Sequence, residues 1–91
     1  MKEEHKSKEK VGFSSLVGLH LEAYRSSAGL TLFVSGVIGI GDFTQEYVLL
    51  RSHGGRVEIS GKRMSVHVYE NKTVEIIGKI ERIGFGYGKD R

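Results

Sequence analysis

A six-residue string, Val57-Glu58-Ile59-Ser60-Gly61-Lys62, recurs as Val74-Glu75-Ile76-Ile77-Gly78-Lys79, and Leu32-Phe33-Val34-Ser35-Gly36 is a looser third copy. In each unit apolar residues alternate with their neighbours up to a glycine, the period-two signature of a strand with one buried face. The parity of the apolar positions switches across Gly61, from 57 and 59 to 64, 66 and 68. A one-residue slip turns the other face of a strand inward, so the switch predicts a β-bulge at that glycine. Strands bent at Gly36, Gly61 and Gly78 would curl. Their expected concave side holds Val34, Val57, Ile59, Val66, Val68, Val74, Ile76, Ile80 and Ile83. The fold class that follows is all-β: a small curled meander, β-roll or sandwich of roughly six to eight short strands. With 13 glycines and no proline, the chain is suited to tight turns and bulges rather than to a disordered linker.

The rest of the chain is divided by changes of texture. Residues 1–12 are charge-rich and read as a flexible N-terminal arm. Residues 13–29 fit either a short amphipathic helix, through Phe13, Leu16, Val17 and Tyr24, or a strand, through Leu19 and Leu21. A β domain spans 30–86 and a short flexible tail 87–91. Within the β domain, Gly41-Asp42 and Asn71-Lys72 read as turns, Phe43 to Arg51 as one strand, and His53-Gly54-Gly55 as the close of a hairpin.

In 91 residues there is room for one domain with a thin core. Lacking cysteine, the chain can form neither a disulfide nor a thiolate metal site. No apolar run approaches the roughly 20 residues of a spanning helix, and the opening residues lack a secretory apolar stretch, so the expectation is a soluble, cytoplasmic protein. The formal net charge of +3 is a weak pointer to nucleic acid, because Lys and Arg are interleaved with Asp and Glu.

No arrangement of residues points to catalysis. His5, His20, His53 and His67 are not at metal-ligand spacing, and no serine lies in a nucleophile elbow. Glu58 and Glu75, equivalent positions of the repeat, read as cross-strand ion-pair partners rather than acid and base. Gly39-Ile40-Gly41 lacks the third glycine and the following helix of a phosphate loop. The chain is therefore expected not to be an enzyme, with no cofactor and no metal. Phe43, Tyr47, Tyr69, Phe85 and Tyr87 are the candidate partner-binding residues, since aromatic side chains dominate interface energetics. Arg51, Arg56, Lys62 and Arg63 form a candidate anion or nucleic-acid patch, provided that Arg51 and Arg56 face each other across the glycine turn.

From Leu30 to Phe85 the order of these elements resembles the YabP/YqfC family of sporulation proteins of endospore-forming Firmicutes. The matching pieces are Ser35-Gly36, Ile40 to Phe43, Val48 to Leu50, Gly55 to Gly61, Met64 to Val66 and Val74 to Phe85. The resemblance implies a non-enzymatic role as a binding or assembly module at the forespore surface or spore coat, in the mother cell. It further implies an integral membrane sporulation protein as partner. An exposed sheet edge and a thin core point separately to self-association, and the interleaved charges, without stacking aromatics beside the basic patch, disfavour nucleic acid. The bent strands, Asp42 and the Val48-Leu49-Leu50 run also resemble the Sm/Hfq-like fold, a ring-forming RNA-binding barrel preceded by a helix. The Asn expected after the Asp is absent from that match.

Overall fold

The computed structural model describes residues 9–16, 18–70 and 72–87, the first stretch as backbone only. Seven strands, β1 (Glu9–Leu16), β2 (Leu19–Ser26), β3 (Gly29–Ser35), β4 (Gly39–Phe43), β5 (Tyr47–Arg51), β6 (Gly55–Tyr69) and β7 (Thr73–Tyr87), form one sheet. Their order is β1-β2-β3-β7-β6-β5-β4, and every pairing is antiparallel. The fold is all-β, and none of the described residues is helical.

Strand wins over helix in the segment 13–29 because Gly18, at φ +79°, turns the chain back on itself. β2 then pairs with β3, with Leu21 opposite Val34 and Ala23 opposite Leu32, so Leu19 and Leu21 are buried by alternation rather than by a helical stripe. β1 starts at Glu9, within the stretch expected to be a charged arm, while residues 1–8 and 88–91 lie outside the described residues. Gly41-Asp42 is not a turn: it lies within β4, where the register shifts between Ile40 and Asp42. The chain reverses instead at Thr44–Glu46, closed by the Thr44 N–H donating to the Tyr47 carbonyl at 2.7 Å. Phe43 thus belongs to β4, and β5 begins at Tyr47. Of the expected Asn71-Lys72 turn, Asn71 lies outside the described residues, and Lys72 has a left-handed φ of 63°.

The expected bulge at Gly61 is present, but the strands on either side of it are continuous. β6 and β7 are 15 residues each and run through Gly61 and Gly78 rather than stopping there. Their ladder slips between Ser60 and Gly61 and again between Lys62 and Ser65, so residues on both sides of the crease keep an apolar face inward. Each long strand has two neighbours over one half only. β5 pairs with residues 56–60 of β6, and β3 with residues 73–78 of β7. The sheet therefore folds over at the crease, and β2, β3 and the first half of β7 share one core with β5 and the first half of β6. Backbone bonds lock the crease to the β4–β5 turn, the Gly61 and Met64 N–H groups donating to the Glu46 and Gln45 carbonyls at 3.1 and 2.9 Å.

Leu19, Leu32, Leu50, Ile59, Met64 and Ile76 are essentially without solvent contact. Each such side chain contributes about 1.5–3 kcal/mol on burial, against about 0–1 kcal/mol for a surface ion pair, so the core rather than the surface charges holds the fold. Of the residues expected on the concave side, Val34, Val57, Ile59, Val74 and Ile76 are buried, and Val66 and Ile80 pack against them. Val68 and Ile83 are the corrections, at 59% and 36% exposure. Their register partners Val74 and Ile59 are core residues, but both lie on the halves of the long strands that lack a second neighbour.

A Cβ at Gly78 would stand 2.8 Å from the Met64 Cα and 2.9 Å from the Arg63 oxygen, and one at Gly61 would strike the Lys79 carbonyl oxygen. Gly84, in contrast, has nothing within 4 Å of that position. Gly61→Ala is expected to cost on the order of 2–3 kcal/mol in chemical denaturation and Gly84→Ala less than about 0.5 kcal/mol. Equal costs would refute this account of the crease.

Candidate functional site

The crease leaves one long gap uncovered. Residues 65–69 of β6 pair with β7 on one side and with no described strand on the other, and β4 is the last strand of the sheet. Between these two edges lies a groove of about 310 Å³, lined by residues 37–40 on one lip and by Val68, Lys72, Thr73 and Val74 on the other. Val37 and Val74 are buried and form its floor, whereas Ile38, Ile40 and Val68 are 47%, 39% and 59% exposed along its rim. Three backbone hydrogen bonds hold the floor in place. The Gly36 and Val37 N–H groups both donate to the Lys72 carbonyl, at 3.0 and 3.2 Å, and the Ile38 N–H donates to the Arg51 carbonyl at 2.8 Å. The left-handed Lys72 turns its carbonyl toward those donors, so the hairpin end of β6–β7 and the β3–β4 connection form one rigid unit.

The aromatic residues singled out from the sequence are spread over the molecule. Phe43, 51% exposed, ends β4, and Tyr47, half-buried, opens β5 across the turn from it. Tyr69, 44% exposed, ends β6 just past Val68. Its hydroxyl donates to the Glu75 carboxylate at 2.5 Å and its ring meets His67 edge-on at 4.4 Å. Phe85 packs against the core, and Tyr87 stands exposed at the end of β7, opposite Gly55. The groove is what sequence reading missed: Ile38 and Ile40 were absent from the candidates, and Val68 was assigned to the interior. The signal available was the apolar run Val37-Ile38 before Gly39-Ile40, three branched aliphatic side chains within four residues.

A model of the YabP family matches residues 29–91, well over half of the chain. The chain belongs to the YabP family. That family is associated with sporulation. No curated protein and no solved structure matches the chain. Among the described residues no helix is long and apolar enough to cross a membrane.

In this YabP-family chain the four basic residues of the candidate anion patch divide into two groups. Arg51 stands directly opposite Arg56, as the glycine turn requires, and the Ser52 N–H donates to the Gly55 carbonyl at 2.8 Å to close that hairpin. Arg56 is tied to Glu58 at 3.3 Å. Lys62 and Arg63 lie apart from them, at the crease. The histidines do not converge. His20 pairs with Glu22 at 3.2 Å, His53 is in the exposed hairpin turn, His67 faces outward on β6, and His5 lies outside the described residues. No three His, Cys, Asp or Glu side chains among the described residues come together as a metal site.

The hydrogen bond to the Glu75 carboxylate raises the Tyr69 phenol above its ordinary value of 10.0. A raised value means that the neutral phenol is favoured in the fold, so this contribution is complete below about pH 10 and fades as pH climbs through the raised value. The difference in melting temperature between wild type and Tyr69→Phe should therefore shrink in the alkaline range. A difference that grows there would contradict the assignment.

Proposed function

We propose that this YabP-family domain is a non-enzymatic docking module in spore formation. In this reading it acts in the cytoplasm of the mother cell, at the forespore surface or coat, and takes an extended segment of a membrane-protein partner into the groove between β4 and the second half of β6. The observation that carries the reading is a pair of strand edges, uncovered among the described residues, beside exposed aliphatic side chains. Proteins usually blunt free edges with lysine, proline or inward charge. β4, Gly39-Ile40-Gly41-Asp42-Phe43, carries one charge and neither lysine nor proline, and Ser65-Val66-His67-Val68-Tyr69 of β6 carries no Lys, Arg, Asp or Glu.

An added strand would gain main-chain hydrogen bonds from the edge and set alternate side chains against Ile38, Ile40 and Val68. A five-residue edge such as β4 spans about 17 Å, enough to hold one such strand. Chemistry is a poor fit to the same place: apart from Lys72 and Thr73 the lining side chains are aliphatic, and a reaction needs several convergent polar groups. A second copy of the chain is the other occupant such an edge can accept, which makes self-association part of the same proposal.

The test is retention of the proposed integral membrane sporulation partner, solubilised in detergent, on immobilised wild type and on Val68→Asp. Since Val68 is 59% exposed, the variant should keep its fold, verified by circular dichroism. Retention is expected to fall by about tenfold or more, equivalent to about 1.4 kcal/mol. Equal retention by both proteins would overturn the reading. Conversion of a dimer to a monomer by Val68→Asp in light scattering would assign the groove to a second copy instead.

A further inference from the structure

On the other side of the crease the chain carries two local costs. Lys62 and Lys79 stand directly opposite each other in the β6–β7 ladder, a like-charge pairing that destabilises a sheet. Next to them Arg63 adopts φ 55°, a left-handed conformation that glycine or asparagine takes readily and a long side chain does not. Lys62 reaches Glu81 at 3.6 Å, but among the described residues neither Arg63 nor Lys79 has a carboxylate within ion-pair distance. All three cations line one concavity of about 440 Å³, closed at its sides by Ala28 of the β2–β3 turn and by Gln45 and Glu46 of the β4–β5 turn. Among the described residues, Glu46 is the only acidic group in that lining. The walls are not loose, since the Gln45 and Glu46 carbonyls are the acceptors for the Met64 and Gly61 N–H groups.

We infer that this concavity is an anion site, in which Arg63, Lys62 and Lys79 bind a phosphate group. The guanidinium of Arg63 offers a planar fork to two oxygens, and the two ammonium groups supply point charges on either side. A bound dianion removes the repulsion between Lys62 and Lys79, so the unfavourable pairing becomes an attraction shared by three cations. The volume exceeds what a single phosphate needs and leaves room for an ester or a second phosphate. Arg51 and Arg56 are not part of the site, as they lie at the far end of β5 and β6 from the crease. The inference is independent of the groove between β4 and β6, which shares none of these residues.

Inorganic pyrophosphate titrated into isotopically labelled full-length protein at constant ionic strength should give saturable shifts centred on residues 61–64 and 78–80. Arg63→Gly, which removes the fork and relieves the backbone, and Lys79→Gln should each weaken binding by tenfold or more. Both variants should melt at or above the wild-type temperature. Absence of saturable shifts, or wild-type affinity in both variants, would overturn the proposal. So would a lower melting temperature for both, because the cations would then be serving the fold. Flotation with phosphatidylcholine vesicles, with and without phosphatidic acid, identifies the source of the phosphate. Capture that depends on phosphatidic acid and is lost in Arg63→Gly supports a lipid headgroup. Pyrophosphate binding without capture supports a soluble phosphate.

Discussion

Backbone packed against backbone at the crease is the contact from which the other features of the molecule follow. Gly61 lies against the Lys79 carbonyl and Gly78 against Met64 and the Arg63 carbonyl, an approach that leaves no room for a Cβ. With that approach in place, two 15-residue strands can bend sharply and still keep one continuous ladder. Without it they would extend as a flat hairpin, with Val57 and Ile59 on one end and Val74 and Ile76 on the other, each facing water. The bend brings these residues into one core, which a chain of 91 residues has little other means of building.

The same bend determines where the surface is unfinished. Because β5 covers only the first half of β6 and β3 only the first half of β7, each long strand presents an open edge where its partner ends. One of these edges faces β4 across an aliphatic groove whose floor is pinned by three backbone hydrogen bonds. A preformed floor matters for recognition, since a partner that meets an ordered surface bears less of the entropy of ordering. The crease also sets Lys62 against Lys79 and forces Arg63 into a left-handed turn, so the place that stores local strain is also a concentration of positive charge. Both surfaces proposed for binding are thus consequences of one fold-over.

Particular residues show how far the sequence could be read. The alternation around Val57, Ile59, Val74 and Ile76 announced strands, and the parity switch at Gly61 announced the bulge, because both are local consequences of side chains pointing to alternate faces. The facing of Arg51 and Arg56 was legible for the same reason, a short glycine turn fixing the register. The segment around Leu19 and Leu21 was ambiguous, since a pattern that fits period two and period 3.6 equally is decided by the neighbour it finds, here β3. Gly41-Asp42 misled because a bulge and a turn use the same residues, and only the partner strand distinguishes them.

The sequence by itself determined that this chain makes strands, that two of them crease at Gly61 and Gly78 whereas Gly36 ends its strand, and that it belongs with the YabP family over residues 29–91. These are properties of neighbours along the chain, and short-range sterics and alternation suffice to encode them. Only the tertiary structure decided that Val68 and Ile83 stand at an open rim while Val66 and Ile80 pack inside, and that Lys79 joins Lys62 and Arg63 at one concavity. Exposure and convergence depend on which strand covers which half of another, and that is settled by contacts between residues distant in sequence.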